Sequence, residues 1–290
     1  MAKKEISINK QSILEHRQLM LKKFLKNKLA VAGLFIVITM AGLAVLAPVI
    51  ARYDPLDMQV MNRLVSPSSE HFFGTDNFGR DLWSRTLYGL RSSMLVGAVI
   101  ASASGVIGMI LGLLAGYFPK VDIILMRVIE GIMAIPSMLM AIALMAALGA
   151  TVNNVIIALT VVYIPSVAKI ARGSVLAVKE QTYIEAIRSK GASWMRIIFK
   201  HIAPNVLSPV IVQVTYIFAS AILTESALSF LGVGIPAPAP SLGNILSDAK
   251  TVIFNAVWMT IYPGITMLLL VVGINILGDG IRDVLDPLSN

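Results

Sequence analysis

Apolar residues fall into six long runs, separated by polar segments that alternate between heavily and lightly basic. About 20 apolar residues cross a hydrocarbon core as a helix. The runs Leu29–Ala51, Ser93–Phe118 and Val252–Leu277 meet that length easily, and Gly131–Ala150 and Val206–Thr224 are adequate. Asn154–Ala168 is short, but Lys169 and Arg172 at its end can snorkel and extend it to Ala171. The pattern predicts an all-α polytopic membrane protein with six transmembrane helices. A tail at 1–28 precedes the first span at 29–51, a loop occupies 52–92, and five further spans form a core over 93–290.

Within the runs, small and ring-closed residues suggest how the helices pack. Ser104, Gly108, Gly112 and Gly116 recur every four residues and form a flat stripe on which another helix can lie closely, inside the chain or across a subunit interface. Pro136, Pro165, Pro209 and Pro263 sit inside or at the edges of spans, where they predict static bends more than hinges. Ionisable side chains avoid the span centres. Glu130 stands three residues from Arg127, a spacing that predicts an interfacial ion pair, and Glu225 lies at the end of the fifth run. Ion-coupled transporters place carboxylates at mid-depth, so this distribution argues against that class.

One polar stretch departs from simple loop character. Thr182 and Glu185 have the spacing of a capping box, which predicts a helix from Tyr183 to about Lys190. Tyr183, Ile184 and Ile187 would share its apolar face, opposite Arg188 and Lys190. Gly191 supplies a left-handed stop. Ser193 then caps a second helix through Trp194, Ile197, Ile198 and Phe199 that ends before Pro204. The product is an amphipathic, basic hairpin at the membrane surface. Pattern alone leaves two partners open: anionic lipid beneath the basic face, or a soluble protein that grips it.

Composition agrees with the membrane reading. The chain has 290 residues, of which 57% are hydrophobic and 14% charged, with mean hydropathy +0.80. A net charge of +8 would suit nucleic acid, but its distribution follows membrane orientation instead. With the N-terminus inside, 18 Lys and Arg fall on the cytoplasmic side and 6 on the other, which places both termini in the cytoplasm. There is no cysteine, so disulfides and thiolate metal sites are ruled out.

Catalytic chemistry has no foothold. His16, His71 and His201 lie in separate segments outside any H-E-x-x-H pattern, and no span offers a serine with a facing base. No catalytic and no metal-ligating set is predicted. The phosphate loop G-x-x-x-x-G-K-[ST] is also missing, so energy for uphill movement would have to come from another polypeptide.

The residues from Glu185 onward resemble the coupling loop of ABC-importer permeases. Glu185-Ala186-Ile187, Gly191 and Pro204 stand at that family's spacing, although Ile187 replaces a favoured alanine and His201 and Ala203 replace isoleucine and leucine. His201-Ile202, Pro204 and Asn205 are usual in its dipeptide, oligopeptide and nickel branch. Phe73–Arg85 with Gly89 and Arg91, Glu225–Gly234, Pro240–Gly243, Tyr262–Gly264 and Leu277–Pro287 resemble the DppC/OppC-like permeases of that branch, in the same order. Leu242 stands where the branch commonly has tryptophan.

The resemblance implies a type I importer transmembrane domain in the cell membrane of a prokaryote. This chain would bind no cofactor of its own. Its implied partners are a second, DppB/OppB-like permease subunit, two ATPase subunits carrying ATP and Mg, an extracytoplasmic substrate-binding protein and the lipid bilayer, with no nucleic acid. The coupling set is Thr182, Tyr183, Glu185, Ala186, Ile187, Arg188, Gly191, Ala192 and Ser193. Within it Ala186 allows close packing, Gly191 makes the turn, and Glu185 caps the helix or pairs with the ATPase. Asp76, Arg80, Asp81 and Arg85 are candidates for binding-protein contact, or for an ion-pair network that fixes their loop. Glu225, Ser229, Phe230 and Pro240 are gate or pathway candidates. The cargo implied is di- or oligopeptide. The alternatives are a nickel or other metal chelate or glutathione on the same architecture, then a secondary transporter or scaffold.

Overall fold

The computed structural model describes residues 21–285, and among these the regular structure is helical. Among the described residues, five helices are long and apolar enough to cross a membrane, and six spans result when one sharply bent pair is counted as a single crossing. Helix α1, Lys28–Val45, opens on Asn27, whose side chain accepts from the amides of Leu29 and Ala30 and so satisfies two orphan donors. A short turn, Ala47–Ile50, completes that crossing.

Helix α2 runs Leu82–Tyr117 and starts well before the expected Ser93. The apolar run stops at Arg91, but the helix does not, because Asp81 caps it by accepting the Ser84 amide at 2.8 Å. The third run is not one straight span. Helix α3, Pro119–Met133, and helix α4, Ser137–Leu148, meet at 91°. Pro136 disfavours helical backbone at Ile135 and breaks the ladder there. Helix α5, Val152–Lys179, passes through Pro165 and extends beyond the expected Ala171.

The hairpin consists of α6, Thr182–Ser189, and α7, Trp194–Ile197. A π-helical turn over Ile198–Ile202 then feeds helix α8, Ala203–Phe230. The second hairpin helix therefore does not end before Pro204 but continues into the fifth span. In the π turn the Ala203 amide donates to Ile198 O, and the proline behind it sits in the first turn of α8, where its missing N–H costs little. Helix α9, Leu242–Ala249, caps the opposite end, and α10, Trp258–Leu285, makes the last crossing through Pro263.

The glycine stripe is consumed inside the chain. A Cβ on Gly108, Gly112 or Gly116 would strike Val167, Ala171 or Val175 in turn, so α2 and α5 lie backbone to backbone in a matched four-residue register. Helix α1 packs on α10 in similar fashion, with Gly33 and Gly273 flush against the other helix. Helix α8 lies between α2, α5 and α10. One core cluster, around Val175, Ile184, Ile197 and Ile202, joins the hairpin to the bundle. A second, around Val96, Leu159, Leu228 and Ile235, fills the other end. The expected Arg127–Glu130 pair is not formed. The charge pair here is Arg172 with Asp122, Nη2 to Oδ2 at 2.7 Å, which ties α5 to α3.

Candidate functional site

Three places carry the polar chemistry: the hairpin, the crown of loop and helix at the far end, and a groove between them. In the hairpin, Ile184 is 1% exposed and Ile187 half-buried, so these two residues root α6 in the bundle. Tyr183 does not join them. It is 40% exposed and lies with Thr182, Glu185 and Ala186 on the outer surface. The capping box does not form either. Gln181 is the cap position, Thr182 is the first helical residue, and no side chain accepts an amide there. Ser193 likewise flanks α7 without a capping bond.

Gly191 does what its type requires, with φ of +79° in the left-handed region. Ala192, half-buried, packs against the same cluster as Ile184 and Ile187. The Arg188 guanidinium lies 5.9 Å from the Tyr117 ring, which links the hairpin to the end of α2. What faces outward is therefore a short helix with small and hydroxylated side chains, one carboxylate at its positive end, and basic residues at its other end.

At the crown, the four charged residues of the loop are inside rather than on the surface. Asp76, Arg80, Asp81 and Arg85 are each at most 4% exposed. Asp76 accepts the amides of Phe78 and Arg80 and the Arg80 Nε at 2.6 Å. Arg80 also reaches Asp248 on α9 at 2.9 Å. Arg85 Nε stands 3.3 Å from Asp76 without hydrogen-bond geometry, and its Nη2 lies 3.6 Å from Asp248. Burial pushes the Asp248 carboxyl above the usual range, against the opposing pull of Arg85 and Arg80. Asp81 caps α2 and takes His71 Nδ1 at 2.9 Å. Arg80, Asp76 and Asp248 form a largely buried ion-pair network with Arg85 beside it, within the loop and onto α9.

The gate candidates divide. Glu225 is fully buried, and its carboxylate accepts Ser229 Oγ at 2.7 Å and Ser93 Oγ at 3.2 Å. Ser229 is buried beside it. Phe230 is 37% exposed, with the Lys250 ammonium 4.0 Å above its ring. Pro240 is half-buried and precedes Ser241, which caps α9 by accepting the Asn244 amide at 3.1 Å.

Between hairpin and crown lies a groove that the apolar runs concealed. A cavity of about 380 Å³ is lined by Met133, Met140, Tyr163, Gln213, Tyr216 and Ser220, among others, at the break between α3 and α4. A second, about 450 Å³, shares Gln213 and Tyr216 and reaches Arg282 at the hairpin end. The lining of α8 shows a signal the sequence did contain. Gln213, Tyr216, Ser220 and Thr224 are spaced by three or four residues and mark one polar face of an apolar helix. Tyr163 OH and Thr224 Oγ1 lie 2.8 Å apart along the same seam.

Residues 105–289 match the family described as binding-protein-dependent transport system inner membrane component, and residues 17–67 match the N-terminal transmembrane domain of oligopeptide transport permease C. A Brucella suis protein named as a peptide transport system permease is 46% identical over 88% of this chain and 86% of its own length. The dipeptide transport system permease protein DppC of Alkalihalophilus pseudofirmus is 42% identical over 92% of this chain and 88% of its own. The oligopeptide transport system permease protein OppC of Bacillus subtilis is 38% identical over 97% and 92%. With one match across the five-helix core and the other across the first span, the chain belongs to the family of binding-protein-dependent transport system inner membrane components.

Proposed function

We propose that this chain is a permease subunit of an ATP-driven importer of di- or oligopeptides and contributes half of the translocation pathway. Members of its family are transport components rather than enzymes. A second, homologous permease subunit closes the open side of the groove. Two ATPase subunits, which hold the ATP and Mg, engage the hairpin in the cytoplasm, where both termini also lie. A binding protein delivers cargo to the crown from outside the cell membrane.

The hairpin carries this reading. Its outer face, Thr182, Tyr183, Glu185 and Ala186, is exposed, while Ile184 and Ile187 root it in the core. An amphipathic helix lying on lipid would turn its isoleucines to the membrane instead. Because α7, the π turn and α8 form a run of 37 residues, Trp194–Phe230, a displacement of the hairpin is passed along a rod about 55 Å long. The polar seam of α8 turns with that rod and changes which end of the groove is open.

Reconstitution with the partner subunits tests the proposal. Uptake of labelled dipeptide into proteoliposomes should require ATP and the binding protein together. Uptake driven by an ion gradient without an ATPase, or a stable homomer that recruits no ATPase, would overturn it.

A further inference from the structure

Glu225 is a buried carboxylate to which neither the hairpin nor the groove gives a task. It sits at the far end of α8, 0% exposed. Burying an ionised group without partners is expensive, and here hydroxyls surround it: Ser229 Oγ at 2.7 Å, Ser93 Oγ at 3.2 Å and Ser226 Oγ at 3.4 Å. A leucine would fill such a site with no need of them. The carboxylate adds direction, because those hydroxyls belong to two spans and also face the crown.

The same hydroxyls continue outward. Ser93 Oγ accepts from the Leu242 amide, the first residue of α9, at 3.4 Å. Ser229 Oγ accepts from the Ile235 amide at 3.0 Å, which pins the chain as it leaves α8. Gly243 lies so close to Ser226 and Ser229 that a Cβ there would strike both. The other end of α9 is held to the loop, through Asp248 to Arg80 at 2.9 Å, and also to the last residue of α8, since Ser247 Oγ and Lys250 Nζ donate to the Phe230 carbonyl at 3.0 and 2.8 Å. Helix α9 is thus fastened at its start to α8 and α2, and at its finish to the end of α8 and to the loop before α2.

We propose that Glu225 is a positioning residue of the transport cycle. It clasps the start of α9 to the far end of the α7–α8 rod, so that hairpin displacement reaches the outer face as movement of α9. The proposal rests on the transport reading above. It adds that α9, rather than the loop network, is the part of the crown that follows the rod. Asp248 and Arg80 tether the finish of α9 to the loop.

The test uses the complete transporter in nanodiscs, with spin labels at Thr251→Cys, which is exposed beside α9, and at Val152→Cys at the start of α5. The unsubstituted complex should show a change in label separation between the nucleotide-free and ATP-trapped states. In Glu225→Leu that change should fall by at least half, the bonds of Ser247 and Lys250 to Phe230 remaining, and peptide moved per ATP hydrolysed should fall by about tenfold. Glu225→Gln keeps one accepting oxygen and should restore most of both. Normal transport and an unaltered label shift in Glu225→Leu would overturn the clasp, as would lost transport with the shift intact. Should Glu225→Leu fail to assemble, Glu225→Gln decides: a label shift no different from the unsubstituted protein together with impaired transport rejects the proposal. If the unsubstituted complex itself moves no peptide, the transport reading fails, whereas a label shift at least halved by Glu225→Leu would still support the clasp.

Discussion

Single residues in this chain matter through the space they leave as much as through their chemistry. A side chain at Gly112 would meet the Ala171 Cβ and the Ala168 carbonyl, while one at Gly131 would meet nothing. Gly112→Val should therefore cost about 1–3 kcal/mol through overpacking and lower the thermal midpoint in detergent. Gly131→Ala should leave it unchanged or raise it slightly. Equal midpoints for the two would show that the α2–α5 contact is looser than described. Glu185 offers a different contrast. It is exposed in the first turn of α6 and makes no capping bond, so Glu185→Ala should alter stability by about 0.5 kcal/mol or less. If its role is contact with the ATPase, peptide-stimulated ATP hydrolysis should fall in Glu185→Ala and in Glu185→Gln alike. Retained stimulation in Gln alone would assign the effect to helix formation.

Among the elements, the crown shows how a loop rich in charge becomes rigid. Asp76 neutralises Arg80 and accepts two backbone amides in a site almost closed to water. Asp76→Asn would strand buried guanidinium charge and should cost about 3–5 kcal/mol, seen as a lower thermal midpoint or loss of folded yield. Asp248 is 31% exposed at its side chain, so Asp248→Asn should cost only about 1 kcal/mol. A reversed order would mean that α9, and not the loop, holds the network together. Helix boundaries were the least legible part of this level. Hydropathy ends at Arg91, yet the cap at Asp81 starts α2 ten residues earlier, and only the capping chemistry of Asp81 with Ser84 announces it. Pro204 reads as a stop because a proline usually ends a helix. Here a π turn precedes it, in which the Ala203 amide reaches back to Ile198 O, and the helix runs on.

For the whole molecule, the six apolar runs and the glycine stripe were legible because both depend on short-range periodicity. The groove was not, since Gln213, Tyr216 and Ser220 each appear as a lone polar residue until α8 is given a face and α3–α4 a break. The ion-pair network was half legible. Its loop members lie within one short segment, but Asp248 is distant in sequence and joins only through the fold. The proposed orientation has a direct check. Ser189 and Phe254 are exposed at opposite ends, Phe254 at 99%. In right-side-out vesicles, an impermeant maleimide should label Phe254→Cys and spare Ser189→Cys. The inverse pattern would reverse the proposed topology.

The matched register of α2 and α5 also limits how the bundle can move. Gly108, Gly112 and Gly116 face Val167, Ala171 and Val175 as teeth of equal pitch. Sliding one helix along the other must lift three side chains out of three notches at once. The next seating lies four residues away, about 6 Å along the axis. Smaller slips have no resting place, so the pair behaves as a toothed joint locked at one setting. Any stroke that reaches it must be expressed as a turn or tilt of both helices together.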